Sequence, residues 1–289
     1  MTPQAATTAR LLITCPDRPG IVAAVTAFLF QHGANITELD QHSSESEGGR
    51  FFMRLEFQTP RLDLSRAAFA DGFAAAVGKR FDMNWHVTYA DARPRMAILV
   101  SRHDHALAEL LYRWARGELP VQIPLVISNH AELREAVERH KISFLHVPNT
   151  ADTQAAAETQ MRERLEGACE FIVLARYMRV LSADFVARFP RRILNIHHSF
   201  LPAFAGAEPY RQAYEHGVKL IGATAHYVTA ELDQGPIIEQ DTARVSHRFS
   251  TDDLQRLGRD LERQVLARAV RWHVEDRIIV DGNKTVVFS

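Results

Sequence analysis

The stretch Ile193–Gly235 opens on the letters ILNIHHSFLP and closes on AHYVTAELDQG. Three of its first five residues, Ile193, Leu194 and Ile196, are apolar and β-favouring, which predicts a strand in the buried parallel sheet. In open parallel sheets, ligands bind beyond the carboxyl ends of the strands. Residues two apart on a strand point to the same face, so Asn195 and His197 should share a face while His198 points away. This strand end is therefore the predicted functional site.

Four more apolar strand patterns precede this strand, and a helix pattern follows each of them. The strands are predicted at 96–100, 123–128, 142–147 and 171–175, and the helices at 105–116, 131–140, 155–166 and 182–189. This alternation predicts an α/β domain with a doubly wound, mostly parallel Rossmann-like sheet. Further strands are predicted at 220–228 and 236–240, then a long helix at 251–273 and a hairpin that turns at 281–283.

The first ninety residues show a different order. Strand patterns lie at 10–15, 34–40, 50–57 and 84–89, and helix patterns at 21–33 and 64–77. The order βαββαβ predicts a ferredoxin-like sandwich with one open sheet face. Arg54 and Glu56 alternate with apolar residues, which predicts a half-exposed third strand. The polar, proline-containing segment 91–95 is predicted to be a linker between domains at 8–90 and 96–289.

Composition limits the possible partners. A net charge of −1 gives no general attraction to nucleic acid or to anionic membranes. We found no apolar run of membrane-spanning length and no signal-peptide pattern at the start, so we expect a cytoplasmic protein. The two cysteines, Cys15 and Cys169, fall in different predicted domains. They are predicted to be buried thiols and not a disulfide.

Asn195, His197 and Asp233 together suit acyl chemistry. An amide can donate to a developing oxyanion, an imidazole can move protons near neutral pH, and a carboxylate can orient the imidazole or activate water. From spacing alone, a second interpretation stays open, in which Asp233 lies in a tight turn and Asn195 satisfies backbone groups. The chain contains no His-Glu-x-x-His and no paired Cys-x-x-Cys, so no metal is predicted.

The N-terminal motifs PDRPGI (16–21) and GANI (33–36) resemble those of ACT domains over residues 8–90. The resemblance implies pairing into a homo-oligomer and the binding of a small amino acid at the interface. Gly20 would let the ligand approach the backbone, and Asn35 could hydrogen-bond its amino or carboxylate group. In the alternative interpretation Gly20 starts a helix and Asn35 caps a turn.

Three later motifs, NIHHSFLP (195–202), GATAHYV (222–228) and LDQGPII (232–238), resemble those of the folate-dependent formyltransferase superfamily over 94–289. The resemblance implies that Asn195, His197 and Asp233 are the catalytic trio. LARYMRVLS (174–182) resembles the segment that recognises the pterin ring, and the loop 229–233 would line the folate pocket. The implied substrate-binding residues are Tyr177, Met178, Arg179, Leu181, Thr229 and Gly235. Alternatively, Tyr177, Met178 and Leu181 are core residues at a helix entry.

The segment after the first strand of the second domain, VSRHDHALAELL (100–111), contains no glycine and includes the acidic Asp104. It therefore does not suit a phosphate-cradling loop of the kind used for a ribonucleotide substrate. Together with HHSFLPAF (197–204), GAEPY (206–210) and the domain order, it resembles the 10-formyltetrahydrofolate deformylases. One departure is Glu208, where that family leads us to expect asparagine.

The resemblance implies hydrolysis of 10-formyltetrahydrofolate to tetrahydrofolate and formate. This would supply formate for purine synthesis and balance the one-carbon pool. Folate is then the substrate, no cofactor is needed, and glycine and methionine are the suggested effectors. Two other functions stay open: formyl transfer to an amine acceptor, and a non-catalytic sensor of folate or an amino acid. Ser199 as a covalent nucleophile is a rival mechanism.

Overall fold

The computed structural model describes residues 8–45, 48–202 and 209–289. Contacts group the chain into two compact units. The first comprises the described part of Met1–Arg93 together with Glu275–Asp281 and Val286–Ser289, and the second comprises Pro94–Val274 and Gly282–Thr285. Among the described residues, none of the helices combines the length and apolar character needed to cross a membrane.

The first unit confirms the predicted βαββαβ order. Its sheet is antiparallel in the order β2-β3-β1-β4. The predicted helix at 64–77 begins later, at Arg66, because Ser65 caps it by accepting from the amide of Ala68 at 3.2 Å. The elements are β1 (Thr8–Pro16), α1 (Ile21–Gln31), β2 (Asn35–Ser43), β3 (Arg50–Gln58), α2 (Arg66–Phe73), a π-helical turn (Ala74–Gly78), a 3-10 turn (Lys79–Phe81) and β4 (Asn84–Tyr89).

One face of this sheet packs against both helices. Alternate β1 residues, among them Leu11 and Ile13, are buried with apolar residues of α1 and α2. Cys15 continues this row as a free, buried thiol, and burial raises its pKa to about 11. Cys169 of the second unit is likewise free and buried. The prediction of two buried thiols is therefore confirmed.

The other face of the sheet is not open, so the prediction of a half-exposed β3 is wrong at Arg54. Residues after the long C-terminal helix lie on it, and Ile279 and Phe288 are buried with Leu12 and Phe52. Arg54 is only 1 % exposed. The covering segment could not be recognised from β3 itself, because the alternation of charged and apolar residues says nothing about a distant part of the chain.

Arg54 is accommodated in this buried position because it has many hydrogen-bond acceptors. Its guanidinium donates to the carboxylates of Glu38 and Glu56 and to the backbone carbonyls of Glu275 and Asp276. Burial alone would raise the pKa of Glu38, but the hydrogen bond and charge of Arg54 outweigh it and keep this pKa below its usual value. The group joins the sheet to the C-terminal segment within the first unit.

Replacing Arg54 with methionine should therefore destabilise the first unit. The four acceptors would lose their common donor. We expect the free energy of unfolding to fall by about 3 kcal/mol, near the low end for a broken buried ion pair, because both carboxylates are partly exposed. Calorimetric melting should show a lower transition temperature. Arg61→Met is the control, since Arg61 is exposed in the same unit. Equal melting of both variants would contradict this account.

The second unit is built on a seven-stranded sheet in the order β11-β10-β9-β8-β5-β6-β7. The strands β5 to β9 are parallel, and β10 and β11 extend the sheet in antiparallel fashion. This confirms the predicted mostly parallel Rossmann-like sheet. Its strands are β5 (Met96–Val100), β6 (Leu125–Ser128), β7 (Ser143–His146), β8 (Phe171–Ala175), β9 (Ile193–His197), β10 (Leu220–Tyr227) and β11 (Ile237–Arg244).

The described part of this unit contains six helices, and the hairpin that follows them along the chain has its first strand in the first unit. Ser182 caps α6 as its side chain accepts from the amide of Phe185. The helix predicted at 131–140 is reduced to α4, because the preceding residues form a turn instead. The elements are α3 (His105–Ala115), α4 (Arg134–Glu138), α5 (Gln154–Leu165), α6 (Ala183–Arg188), α7 (Pro209–Glu215), α8 (Thr251–Val274), β12 (Ile278–Asp281) and β13 (Lys284–Val287).

Candidate active site

Asn195 and His197 lie on β9, which is paired with the antiparallel β10. The register places His226 directly opposite Asn195. The two side chains meet, with Nδ2 of Asn195 3.1 Å from Nε2 of His226. Nδ1 of His226 lies 3.0 Å from the carbonyl oxygen of Tyr227. Because a carbonyl only accepts, this Nδ1 carries a hydrogen, and in the neutral ring Nε2 accepts from the amide of Asn195.

Asp233 folds back onto this strand end from the loop after β10. Its Oδ2 lies 3.2 Å from Nδ1 of His197, and its Oδ1 lies 3.6 Å from Nε2 of His226. The turn at Asp233 has a φ of 55°, a left-handed conformation that aspartate tolerates better than most residues. The sequence left open whether Asp233 reaches His197, and the structure brings the two together.

The charges of this pair are set by their hydrogen bond. The hydrogen bond from His197 keeps the pKa of Asp233 well below its usual value despite partial burial, and a protonated His226 would add a second donor to the same carboxylate. Asp233 is thus a carboxylate at neutral pH and can only accept, so Nδ1 of His197 donates to it. In neutral His197 the other nitrogen, Nε2, then carries the lone pair.

Nε2 of His197 is buried and has no hydrogen-bond partner among the described residues. It belongs to the wall of a pocket of about 520 Å³, together with Asn195, His226 and Asp233. A volume of this order suits a small-molecule site. The pocket wall therefore contains an oriented imidazole with a free lone pair, beside an amide and a carboxylate. These groups are suited to general acid–base catalysis of acyl chemistry.

Five of the six residues predicted to bind substrate line the same pocket: Tyr177, Met178, Arg179, Leu181 and Thr229. Tyr177 and Leu181 are also buried in the core of the unit. For these two, burial in the core agrees with the alternative interpretation, and a place in the pocket wall is compatible with the predicted binding role, because a core residue can also form a pocket wall. Met178 is half exposed, and its amide donates to the hydroxyl of Ser101 at 2.9 Å.

Gly235, the sixth of these residues, lies beside an adjacent cavity of about 210 Å³ that Asp233 also lines. A Cβ at position 235 would lie 1.7 Å from the carbonyl oxygen of Tyr227. Glycine is therefore required at position 235, because its backbone packs closely against the backbone of Tyr227. This packing holds the loop that carries Asp233 in position.

Replacing Gly235 with alanine should displace Asp233 from His197. A shift of about 1 Å at a catalytic group can lower the rate about 100-fold, and we expect a fall of that order in kcat/KM. Steady-state turnover would measure it. Gly72→Ala is the control, because a Cβ there meets only the Phe28 ring at an ordinary 3.5 Å. A Gly235→Ala enzyme as active as the control would show that the loop tolerates the shift.

His198 also lines the pocket, which corrects the prediction that it points away. Its ring centroid lies 5.1 Å from that of His197. The strand ends at His197, so strict alternation of side chains no longer applies at position 198. Burial, reinforced by the charge of Arg176, lowers the pKa of His198 to about 3. His198 is accordingly a neutral imidazole near pH 7.

The lowered pKa of His198 predicts sensitivity to acid. Unfolded histidine titrates near 6.5, so between that pH and about 3 the unfolded chain binds more protons at this position than the folded one. The stabilising effect of neutral His198 is complete above 6.5 and is lost as the pH falls towards 3. We expect His198→Asn to lose less thermal stability than the wild type between about pH 7 and about pH 4.5. The exposed His247→Asn is the control, and parallel losses in all three proteins would contradict this expectation.

Three residues of the site were not predicted from the sequence: His226, Arg176 and Glu262. His226 stood in a recognised motif, but only the antiparallel register of β9 and β10 places it against Asn195. Arg176 directly follows β8 and lines the pocket. Glu262, on α8, is fully buried. For Glu262, the sequence offered one signal, a charged residue in the middle of a long amphipathic helix. This signal does not show which residues Glu262 contacts.

The remaining predicted residues are placed as follows. Gly20 has a φ of 94° immediately before α1, and Asn35 is the exposed first residue of β2. Ser199 is buried and is not among the described residues that line the pocket. Glu208 lies outside the described residues. No group of three potential metal ligands is found within 8–45, 48–202 and 209–289.

Comparison with known proteins finds two family models. The formyl transferase model matches residues 94–270, and the ACT domain model matches residues 9–69. A formyltetrahydrofolate deformylase of Bacillus subtilis is 54% identical over 97% of this chain and 93% of its own.

Solved structures give the same result. A formyltetrahydrofolate deformylase of Pseudomonas syringae is 46% identical, with a TM-score of 0.96 over 100% of this chain and 96% of its own. One from Burkholderia mallei is 44% identical, with a TM-score of 0.91 over 98% and 100% of the two chains. Because its sequence similarity to these proteins extends over nearly the full length and it contains both domains, the chain belongs to the formyltetrahydrofolate deformylase family.

Proposed function

We propose that this protein hydrolyses 10-formyltetrahydrofolate to tetrahydrofolate and formate. The observation that carries the proposal is the His197–Asp233 pair, 3.2 Å apart, in the wall of a pocket of small-molecule size, with Nε2 of His197 left without a hydrogen-bond partner among the described residues. The relatives that share nearly the whole chain are named for this activity. Formyl removal by water needs a base for the water and a donor for the oxyanion, and His197 and Asn195 in the pocket wall would serve in these two roles.

In the proposed first step, water attacks the formyl carbon. Nε2 of His197 takes a proton from the water as the new C–O bond forms. Asp233 holds the imidazole through Nδ1 and stabilises the imidazolium that results. Asp233 is suited to this role because its lowered pKa keeps it ionised throughout the neutral range.

The tetrahedral intermediate carries its negative charge on the former carbonyl oxygen. One amide hydrogen of Asn195 is used by His226, and the second is available to this oxyanion. The intermediate collapses when the C–N bond breaks and the imidazolium of His197 protonates the departing N10. The products are tetrahydrofolate and formic acid, which ionises to formate. In this scheme Asn195, His197 and Asp233 are the catalytic residues, and Ser199 forms no covalent bond.

The folate would be bound by five residues of the pocket wall: Tyr177, Met178, Arg179, Leu181 and Thr229. Their common position in this wall supports the assignment. The buried rings and aliphatic chains of Tyr177 and Leu181 give an apolar surface for a flat heterocycle, while the exposed Arg179 suits the negatively charged end of the substrate. Gly235 would act indirectly, by allowing the close approach that positions Asp233.

Residues 8–90 would form the regulatory domain, 91–95 the linker and 96–289 the catalytic domain, although Glu275–Asp281 and Val286–Ser289 of that last range group with the first unit by their contacts. The match of residues 9–69 to the ACT domain model supports an amino-acid effector, with glycine and methionine as candidates. Gly20 and Asn35 would contact it, and the domains would pair into a homo-oligomer. The formate released would serve purine synthesis.

The test is turnover of 10-formyltetrahydrofolate by the purified protein in buffer without any amine acceptor. Tetrahydrofolate should form at the same rate as formate, in equal amounts. Glycine and methionine, added separately, should change this rate. If product forms only when an amine acceptor is supplied, the protein is a transferase, and if folate binds without turnover, it is a sensor.

A further inference from the structure

Arg176 presents a buried guanidinium with unused hydrogen-bond donors in the wall of the pocket. It follows β8 in a left-handed conformation, with a φ of 62°, and is only 9 % exposed. Its Nε and Nη1 atoms are buried and have no hydrogen-bond partner among the described residues. Leaving a charged donor unsatisfied in a protein interior is costly, and such groups in native structures usually serve a ligand, an ion or catalysis.

Glu262 balances the charge of Arg176 but not its hydrogen-bonding capacity. Nε of Arg176 lies 3.4 Å from Oε2 of Glu262 without forming a hydrogen bond. That carboxylate is already engaged, because its Oε2 lies 2.8 Å from Nε2 of His105 and its Oε1 accepts from the hydroxyl of Tyr210 at 2.7 Å. Gly258, one turn earlier on α8, leaves room for Tyr210, since a Cβ there would lie 2.1 Å from the hydroxyl oxygen.

The electrostatics of this group favour an ionised Glu262. Burial alone would raise its pKa, but the hydrogen bond from His105 and the charge of Arg176 keep that pKa below its usual value. The neighbouring His198 is neutral because its own pKa is lowered. In this part of the wall, Arg176 therefore presents a cation with unpartnered N–H groups beside the negative charge of Glu262.

The ligand is identified by the chemistry of these donors. A guanidinium binds a carboxylate through two parallel N–H bonds, in a planar geometry that few other groups match. Arg176 lines the same pocket as His197, at which the proposed reaction forms a small planar carboxylate. A cation in that position can receive the carboxylate once the formic acid released by C–N cleavage ionises.

We propose that Arg176 forms a subsite for a small carboxylate, the product formate, and that Glu262 is the counter-ion that limits the affinity of this subsite. The identity of the carboxylate rests on the proposed function. The two charges then have opposite effects: Arg176 attracts formate into the wall of the pocket, and the buried Glu262 weakens the attraction enough for formate to leave.

The test compares formate binding to the wild type, Arg176→Lys and Glu262→Gln. Binding is measured directly from the line broadening of ¹³C-labelled formate in nuclear magnetic resonance, without folate. Arg176→Lys keeps the charge but loses the two-pronged geometry, so formate should bind about 10-fold more weakly. Glu262→Gln removes the counter-charge at nearly constant shape, so formate should bind about 3-fold more tightly. Arg188→Lys, at an exposed arginine on α6, should bind formate as the wild type does.

Opposite signs for the two variants are the expected result. Unchanged or weaker binding in a folded Glu262→Gln protein would overturn the proposal, as would unchanged binding in Arg176→Lys. If Arg176→Lys fails to fold, as judged by circular dichroism, the sign for Glu262→Gln decides alone. A wild type that binds formate through Arg176 but releases none from 10-formyltetrahydrofolate would refute the proposed function and leave the anion subsite standing.

Discussion

Replacing His197 with asparagine is expected to lower kcat about 100- to 10,000-fold, the usual range for the loss of a general acid–base group. Asparagine can still donate a hydrogen bond to Asp233, so the loop should stay in place. It has no lone pair of suitable basicity where Nε2 stands, so the attacking water would keep its proton. KM should change little, because the wall that binds the folate is untouched.

The assay is formate release under saturating substrate. His247→Asn is the matched control, since His247 is exposed and remote in sequence from the site, and this variant should turn over like the wild type. A His197→Asn enzyme within a factor of about three of the control would exclude His197 as the base, because a general base is worth far more than that.

Replacing Asp233 with asparagine should have an effect of similar size. The amide can no longer hold Nδ1–H of His197 as a carboxylate does, so His197 loses the tautomer that leaves Nε2 free. In hydrolases with an oriented histidine, loss of the orienting carboxylate costs about 10,000-fold in kcat, and we expect a fall of about 1,000-fold or more here.

The double variant His197→Asn/Asp233→Asn adds a sharper test of the pair. If Asp233 acts through His197, the double variant should be no slower than His197→Asn alone, because residues that work as a unit are strongly non-additive. Multiplied losses would mean that Asp233 acts on the water independently of His197. Asp152→Asn is the control, since Asp152 is exposed and outside the pocket.

Much of the fold was predictable because its strands and helices differ in hydrophobic period. The apolar run at β9 and its four parallel partners predicted the sheet, and the sheet placed Asn195 and His197 at a strand end. The motif resemblance then identified Asp233, which spacing alone could not connect to His197. The contact between them depends on a left-handed turn at Asp233 and on the close approach at Gly235.

Long-range packing was not predictable, because it leaves no periodic signal. The segment that covers Arg54 comes from the far end of the chain. The sequence pattern of the third strand alone therefore predicted that this strand is half exposed. Arg176 and Glu262 are likewise far apart in sequence, and only the position of α8 brings their charges together. His198 escaped prediction for a local reason, the end of the strand at His197.

The most direct test of the central claim is single turnover of 10-formyltetrahydrofolate in water enriched in oxygen-18, with the formate analysed by mass spectrometry. If water is the formyl acceptor, each formate should carry one oxygen atom from the solvent, and His197→Asn should form this labelled product far more slowly than the wild type. Recovery of the formyl group on an amine, with no labelled formate, would contradict the account.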